Sequence, residues 1–193
     1  MRNISNYYTD IQNEATLPKV IFIERASDLG LDEHPTKNVQ KGAANTKKIV
    51  DALMGSASWG SSAFILTFDE GGGLYDHVVP PSVVKPDGIA PILKSTDRVA
   101  EFNQMGFRVP LMVISPWVKA GHFVSHTPME FGSILKLIEK RFSVGNLTQR
   151  DLNAPDMTEF FDFSSPHFLT PPPMPDQPTT GICDKTKEKA PGH

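Results

Sequence analysis

Three unbroken apolar runs and two amphipathic stretches set the rhythm of this chain. "KVIFIE" (19–24), "SAFILTF" (62–68) and "RVPLMVIS" (108–115) are short and rich in β-formers. Runs of this length with no polar alternation suit strands covered on both faces, as in a parallel sheet. Ile65 and Leu66 are therefore expected to be buried. Pro110 sits near the start of the third run, where a missing N–H is tolerated. "NVQKGAANTKKIVDALMGS" (38–56) changes period. Val39, Ala43, Thr46, Val50 and Leu53 recur at steps of three and four, one face of a helix, with Lys47 and Lys48 off it and Gly55 as a stop. "PMEFGSILKLIEKRF" (128–142) gives a second helix with Phe131, Ile134, Leu135, Ile138 and Phe142 as its stripe. Strand, helix, strand, long loop, strand, loop, helix predicts an α/β domain with a mainly parallel sheet flanked by helices.

Two segments break the rhythm. Residues 71–107 are too long and too rich in Gly and Pro for a simple connector, and long loops in compact domains often carry function. Residues 164–193 hold seven prolines and almost no apolar period, which predicts an extended or disordered tail. With 193 residues the chain can bury a core. A net charge of −3 gives neither a nucleic-acid footprint nor a polybasic surface for anionic membranes. One cysteine, Cys183, excludes an intrachain disulfide and a cysteine-based zinc cluster. The polar N-terminus has no signal-peptide core, and no run approaches a transmembrane segment of ~18 apolar residues.

Chemistry concentrates in "TFDEGGGLYDHVVPP" (67–81), directly after the second apolar run. In open α/β sheets ligands bind beyond the C-terminal ends of strands, where Asp69 and Glu70 are expected, partly exposed in a cleft. Two adjacent carboxylates repel, and a divalent cation relieves that repulsion. Oxygen ligands suit Mg, Ca or Mn, and an added imidazole widens the choice to Zn or Fe. Gly71–Gly73 permit positive φ and close approach of backbone to a ligand. Asp76 and His77 add an acid and an imidazole. On pattern alone, a solvated turn after a strand reads the same way. "LDEHPTKNV" (31–39) is a second constellation, with Asp32, Glu33 and His34 just ahead of the first predicted helix. There His34 could bond a phosphate, or the two acids could simply complement the helix dipole. His122, His126 and His167 read as ordinary loop histidines, and the terminal His193 as idle.

The blocks "LPKVIFIE", "DEHPTKNVQKG", "ALMGSASWGSSAFILTFDEGGGLYDHVVPP", "GFRVPLMVISPWVKAG", "SILKLIEKRF" and "RDLNAPDMTEFFDF" together resemble the phosphoesterase family. That family holds phospholipases C and related acid phosphatases on an alkaline-phosphatase-like α/β fold. The blocks follow family order from about residue 17 to residue 163. The resemblance implies hydrolysis of phosphate esters, phospholipid or phosphomonoester. It implies a divalent metal ion of open identity at Asp69 and Glu70, and phosphate-binding or acid/base roles for His34 and His77.

The same resemblance exposes departures. The family's earlier half carries an Asn-containing metal motif and a Ser or Thr nucleophile, and neither has a counterpart here. Residues 1–163 are therefore expected to be a partial domain, the C-terminal half, with an incomplete sheet whose exposed edge invites self-association. Where the family often has an acidic-His-Thr-Ser run, this chain has "EFGS", Glu130–Ser133, with Phe131 in the place of the histidine and His126 five residues earlier. The alternative to a hydrolase is a non-catalytic paralogue that binds phosphate or lipid headgroups, or complements another half. Complete members are often secreted, and without a signal peptide the localisation stays open.

Overall fold

The computed structural model describes residues 2–24 and 27–181; Cys183 and His193 lie outside the described residues. The chain divides into two compact units, one running to Ser62 and taking up the chain again from Thr170, the other Ala63–Leu169.

The first unit is helical. α1, Ile4–Asp10, is capped by Asn3, whose side chain accepts from the Ser5 amide. α2, Val39–Met54, is the helix that the spacing predicts: the Asn38 side chain caps it by accepting from the Gln40 amide, and Gly55 ends it. Tyr7 of α1 donates its hydroxyl to the Ile49 carbonyl of α2 at 2.9 Å. Tyr7, Ile11, Ile49, Val50, Leu53 and Trp59 are the buried apolar side chains here. The buried face of α2 is rotated from the predicted stripe. Gly42 and Ile49 join Val50 and Leu53, whereas Val39 and Ala43 face solvent. Residues 176–181 lie along the same helix, with Asp176 paired to Lys47 at 3.1 Å and the Gly181 amide on Gln40 Oε1 at 2.8 Å.

Residues 19–24 form no strand, contrary to the expectation. Val20, Ile21 and Phe22 are exposed. A strand exists only through a paired neighbour, and among the described residues the first unit contains no other strand.

The second unit holds the sheet. β1, Phe64–Thr67, pairs with β2, Leu111–Ile114, in the register Phe64↔Ile114 to Thr67↔Leu111. The pair is antiparallel, which corrects the expected parallel arrangement among the described residues. The reason is the path of the loop. The chain leaves β1 at Thr67 and re-enters at the same end, where the Thr67 hydroxyl donates to the Pro110 carbonyl at 3.0 Å. A parallel pair needs a crossover to the opposite end. Ile65 and Leu66 are half-buried rather than buried. Unbroken hydrophobicity reports an appetite for burial, not the strand's direction or the cover it finds.

The long loop is pinched rather than loose. The Val83 amide donates to the Asn103 carbonyl at 2.9 Å and the Met105 amide to the Pro81 carbonyl at 3.0 Å. α3, Phe131–Phe142, starts with a capping box between Glu130 and Ser133. α4, Gln149–Asn153, has a second one between Thr148 and Asp151. The predicted stripe of α3 is only half-covered, with Phe131 and Phe142 exposed. Its buried residues are instead Ser133 and Glu139. Met157, Ala154 and Phe161 supply apolar burial, and the Lys119 and Asp162 amides tie residues 117–119 to 160–162.

Candidate active site

Asp69 and Glu70 lie just past the C-terminal end of β1, after Phe68, and both are exposed. Glu70 Oε2 accepts the Gly72 amide at 2.6 Å, so one oxygen is turned into the loop. Gly72 and Gly73 take positive φ, 67° and 76°, a region that L side chains enter only under strain. The glycines thus let the chain reverse within a few residues of the acids. A shallow hollow of about 180 Å³ lies between Lys85–Pro91 and Glu101–Phe102.

The far limb of the loop returns to the same strand end. Asp76 makes a double side-chain bridge to Arg108, Oδ2 to Nε and Oδ1 to Nη2, each at 2.9 Å. Arg108 precedes β2 by three residues, and Leu111 at the start of β2 pairs with Thr67. Hydrogen bonds from the Arg108 side chain, then from the Arg108 and Val78 amides, hold the Asp76 carboxyl well below the usual carboxylate range. His77 is beside it with its side chain 83% exposed and its Nδ1 3.9 Å from Asp76 Oδ1, too far to be held by it. Asp69 and Glu70 thus lie just past β1, and the turn that carries His77 is tied through Asp76 to the segment entering β2.

His34 belongs to the first unit. Its Nδ1 lies 2.6 Å from the Pro35 carbonyl, an acceptor that places the proton on that nitrogen. Glu33, at φ 58°, packs where a Cβ on Gly42 would stand, 2.2 Å from its Cγ. That glycine is what admits the Asp-Glu-His turn against α2. Burial pushes the Glu33 carboxyl up. Asp32 Oδ1 is buried without a hydrogen-bond partner among the described residues. The sequence gives Asp32 and Glu33 only a dipole-complementing role, and no local signal marks an orphaned oxygen.

Glu130, in the place of the acidic residue of the family run, is occupied. It caps α3 and pairs with Arg150, which also donates to the Phe102 carbonyl at 2.9 Å. His126 is exposed between Ser125 and Thr127, both of which donate to Glu159. Asp162 holds His167 at 3.0 Å. Arg108 is the residue that sequence reasoning missed. Its partner lies 32 positions away, and no periodicity links the two.

Among the described residues no three His, Cys, Asp or Glu side chains converge as a closed metal cage. Asp69 and Glu70 offer what an open Mg-type site takes from protein, one or two carboxylates, with water and substrate phosphate supplying the rest.

The profile of the Phosphoesterase family matches residues 1–145. This chain belongs to the phosphoesterase family. Over 153 residues it is 39% identical to Non-specific phospholipase C5 of Arabidopsis thaliana, covering 72% of this chain and 29% of that protein. Over 202 residues it is 35% identical to Phospholipase C B of Mycobacterium tuberculosis H37Rv, covering 96% and 37%. Hemolytic phospholipase C of Pseudomonas aeruginosa is 34% identical over 171 residues, covering 84% and 23%. The phosphoesterase chain thus spans well under half the length of each of these relatives. The match includes every block of the resemblance except residues 150–163.

Proposed function

We propose that this phosphoesterase chain carries part of a site that hydrolyses phospholipid phosphodiesters, releasing an alcohol and a phosphomonoester for each water consumed. The carrying observation is that Asp69 and Glu70 stand just past β1 while the His77 turn is tied through Asp76 to the segment entering β2, in a chain similar to proteins named phospholipases C. Asp69 and Glu70 are the ligands of a divalent ion. When bound, such an ion neutralises phosphoryl oxygens and lowers the pKa of the attacking oxygen. His77, exposed and unencumbered by Asp76, hydrogen-bonds a phosphoryl oxygen or protonates the leaving alkoxide. His34 is read, by family membership, as a second phosphate-binding or acid/base histidine. We assign the nucleophile to no residue of this chain. Residues 1–163 then act as part of an alkaline-phosphatase-like domain, a reading supported by family membership, with 164–193 as its tail.

The test combines Mg²⁺ and Mn²⁺ titration calorimetry with nitrophenyl-phosphocholine hydrolysis. Asp69→Asn and Glu70→Gln should each weaken binding by more than about tenfold, the loss seen when even a ligand's support is disturbed. Unchanged binding in both would remove the metal assignment. A second reading is favoured by Phe131 and by the commitment of Glu130 and Ser133 to a helix cap. It takes the chain as a binder of phosphate headgroups without turnover. Metal-dependent phosphate binding with no hydrolysis would select it.

A further inference from the structure

We propose that Asp76 and Arg108 form a clamp whose role is to position His77, and that Asp76 is neither a metal ligand nor an acid/base group. The inference rests on the reading of His77 as a phosphate-facing imidazole. A carboxylate has about four lone-pair sites. In Asp76 all four are used: Oδ1 accepts the Val78 amide at 3.1 Å and Arg108 Nη2 at 2.9 Å, and Oδ2 accepts the Arg108 amide at 3.0 Å and Nε at 2.9 Å. Its side chain is only 10% exposed. Nothing remains to offer a cation.

The same four bonds fix the backbone on both sides of His77. Asp76 is tied to the chain entering β2, and Val78 is tied to Asp76. The imidazole between them keeps only its own two side-chain torsions. Upstream, Gly72 and Gly73 would otherwise let the turn wander, because glycine accepts conformations that other residues refuse. Holding a catalytic group in place removes an entropic cost that a mobile loop would meet at every encounter. The forked, planar guanidinium is what allows two parallel side-chain bonds, and a lysine in its place would keep the charge but lose the fork.

The test uses the full chain with Mg²⁺ and inorganic phosphate as the probe. Phosphate affinity is measured for His77→Asn, Asp76→Asn, Arg108→Lys and each clamp variant combined with His77→Asn. The ring ¹³C–¹H resonance of His77 is followed by NMR. Asp76→Asn and Arg108→Lys should each lower affinity by about tenfold or more, as loss of an orienting partner does, and should shift the His77 resonance. In the His77→Asn background neither should lower it further, because a clamp acting through His77 has nothing left to position. Additive losses in that background would overturn the proposal, as would an unmoved His77 resonance in both clamp variants. Collapse of the amide spectrum in both would make the pair a fold determinant and equally overturn it. If His77→Asn alone leaves affinity unchanged, the assigned function of His77 fails instead, and the ring resonance still reports whether the clamp holds.

Discussion

Glu139 on α3 and Asp151 on α4 are both buried. Burial first, and then Asp151, push the Glu139 carboxyl up, against a pull from Lys136 at 3.6 Å. Asp151 goes the other way. Burial works against its charge, but the Thr148 hydroxyl, the Leu147 amide and Glu139 outweigh that and hold it below the usual range. Of the two, Glu139 is the carboxyl that its surroundings push toward the protonated form. An acid raised in the folded state contributes stability below its unfolded value, and that contribution is lost as pH rises through the folded value. Glu139→Gln removes the buried ionisable carboxyl at every pH. Its melting midpoint should match that of the native chain near pH 4 and exceed it at pH 7, and an equal or lower midpoint at pH 7 would refute the raised carboxyl. Asp76 titrates with the opposite sign. Its depressed carboxyl stabilises above the unfolded value and loses this as pH falls through the folded one. Asp76→Asn should therefore show a shallower loss of stability between pH 5 and pH 2 in acid-unfolding curves.

At the scale of elements, α2 offers the cleanest cap. Asn38→Ala removes the acceptor of the Gln40 amide and should cost about 1 kcal/mol in thermal or urea unfolding. Ile65→Ala should cost about 1–2 kcal/mol, below the ~2–5 of a fully buried isoleucine, because β1 is only half-covered. α2 and α3 were legible in the sequence because a helix writes its burial into a 3.6-residue period. Their exact faces were not: Ala43 is small enough to be tolerated outside, and Glu139 is buried against an acid on another element. α1 is only seven residues long, too short for a period to declare itself. The position of Asp69 and Glu70 was legible because acids that end an apolar run must stand where the strand leaves cover. The return of the loop through Asp76 and Arg108 was not, since it is a tertiary pairing with no local trace. The antiparallel direction of the sheet was hidden for the same reason.

At the scale of the molecule, the segment 176–181 and the surface set the expectations. Asp176 is 96% exposed where it meets Lys47, and exposed ion pairs contribute little. Deleting residues after Thr170 should leave the melting midpoint nearly unchanged, and a large fall would show that the segment covers α2. Self-association is the larger matter. Among the described residues the sheet has two strands, so each has an outer edge without a strand neighbour. Unpaired edges recruit other chains. The second unit also exposes large apolar side chains: Leu74, Tyr75, Val79, Ile92 and Val99 are all more than 70% exposed. Scattered apolar residues are ordinary, but this many large ones approach what marks an interface. A net charge of −3 gives little repulsion between copies. The chain should therefore form dimers or larger species whose proportion rises with concentration, as measured by light scattering at several loadings. Met112, exposed on β2, is the place to test the edge, because a lysine on an edge strand opposes pairing. Met112→Lys should shift the population toward monomer with little change in far-ultraviolet circular dichroism. A native chain that stays monomeric at every concentration would refute edge-driven association, and an oligomer indifferent to Met112→Lys would move the contact to the apolar loop between β1 and β2.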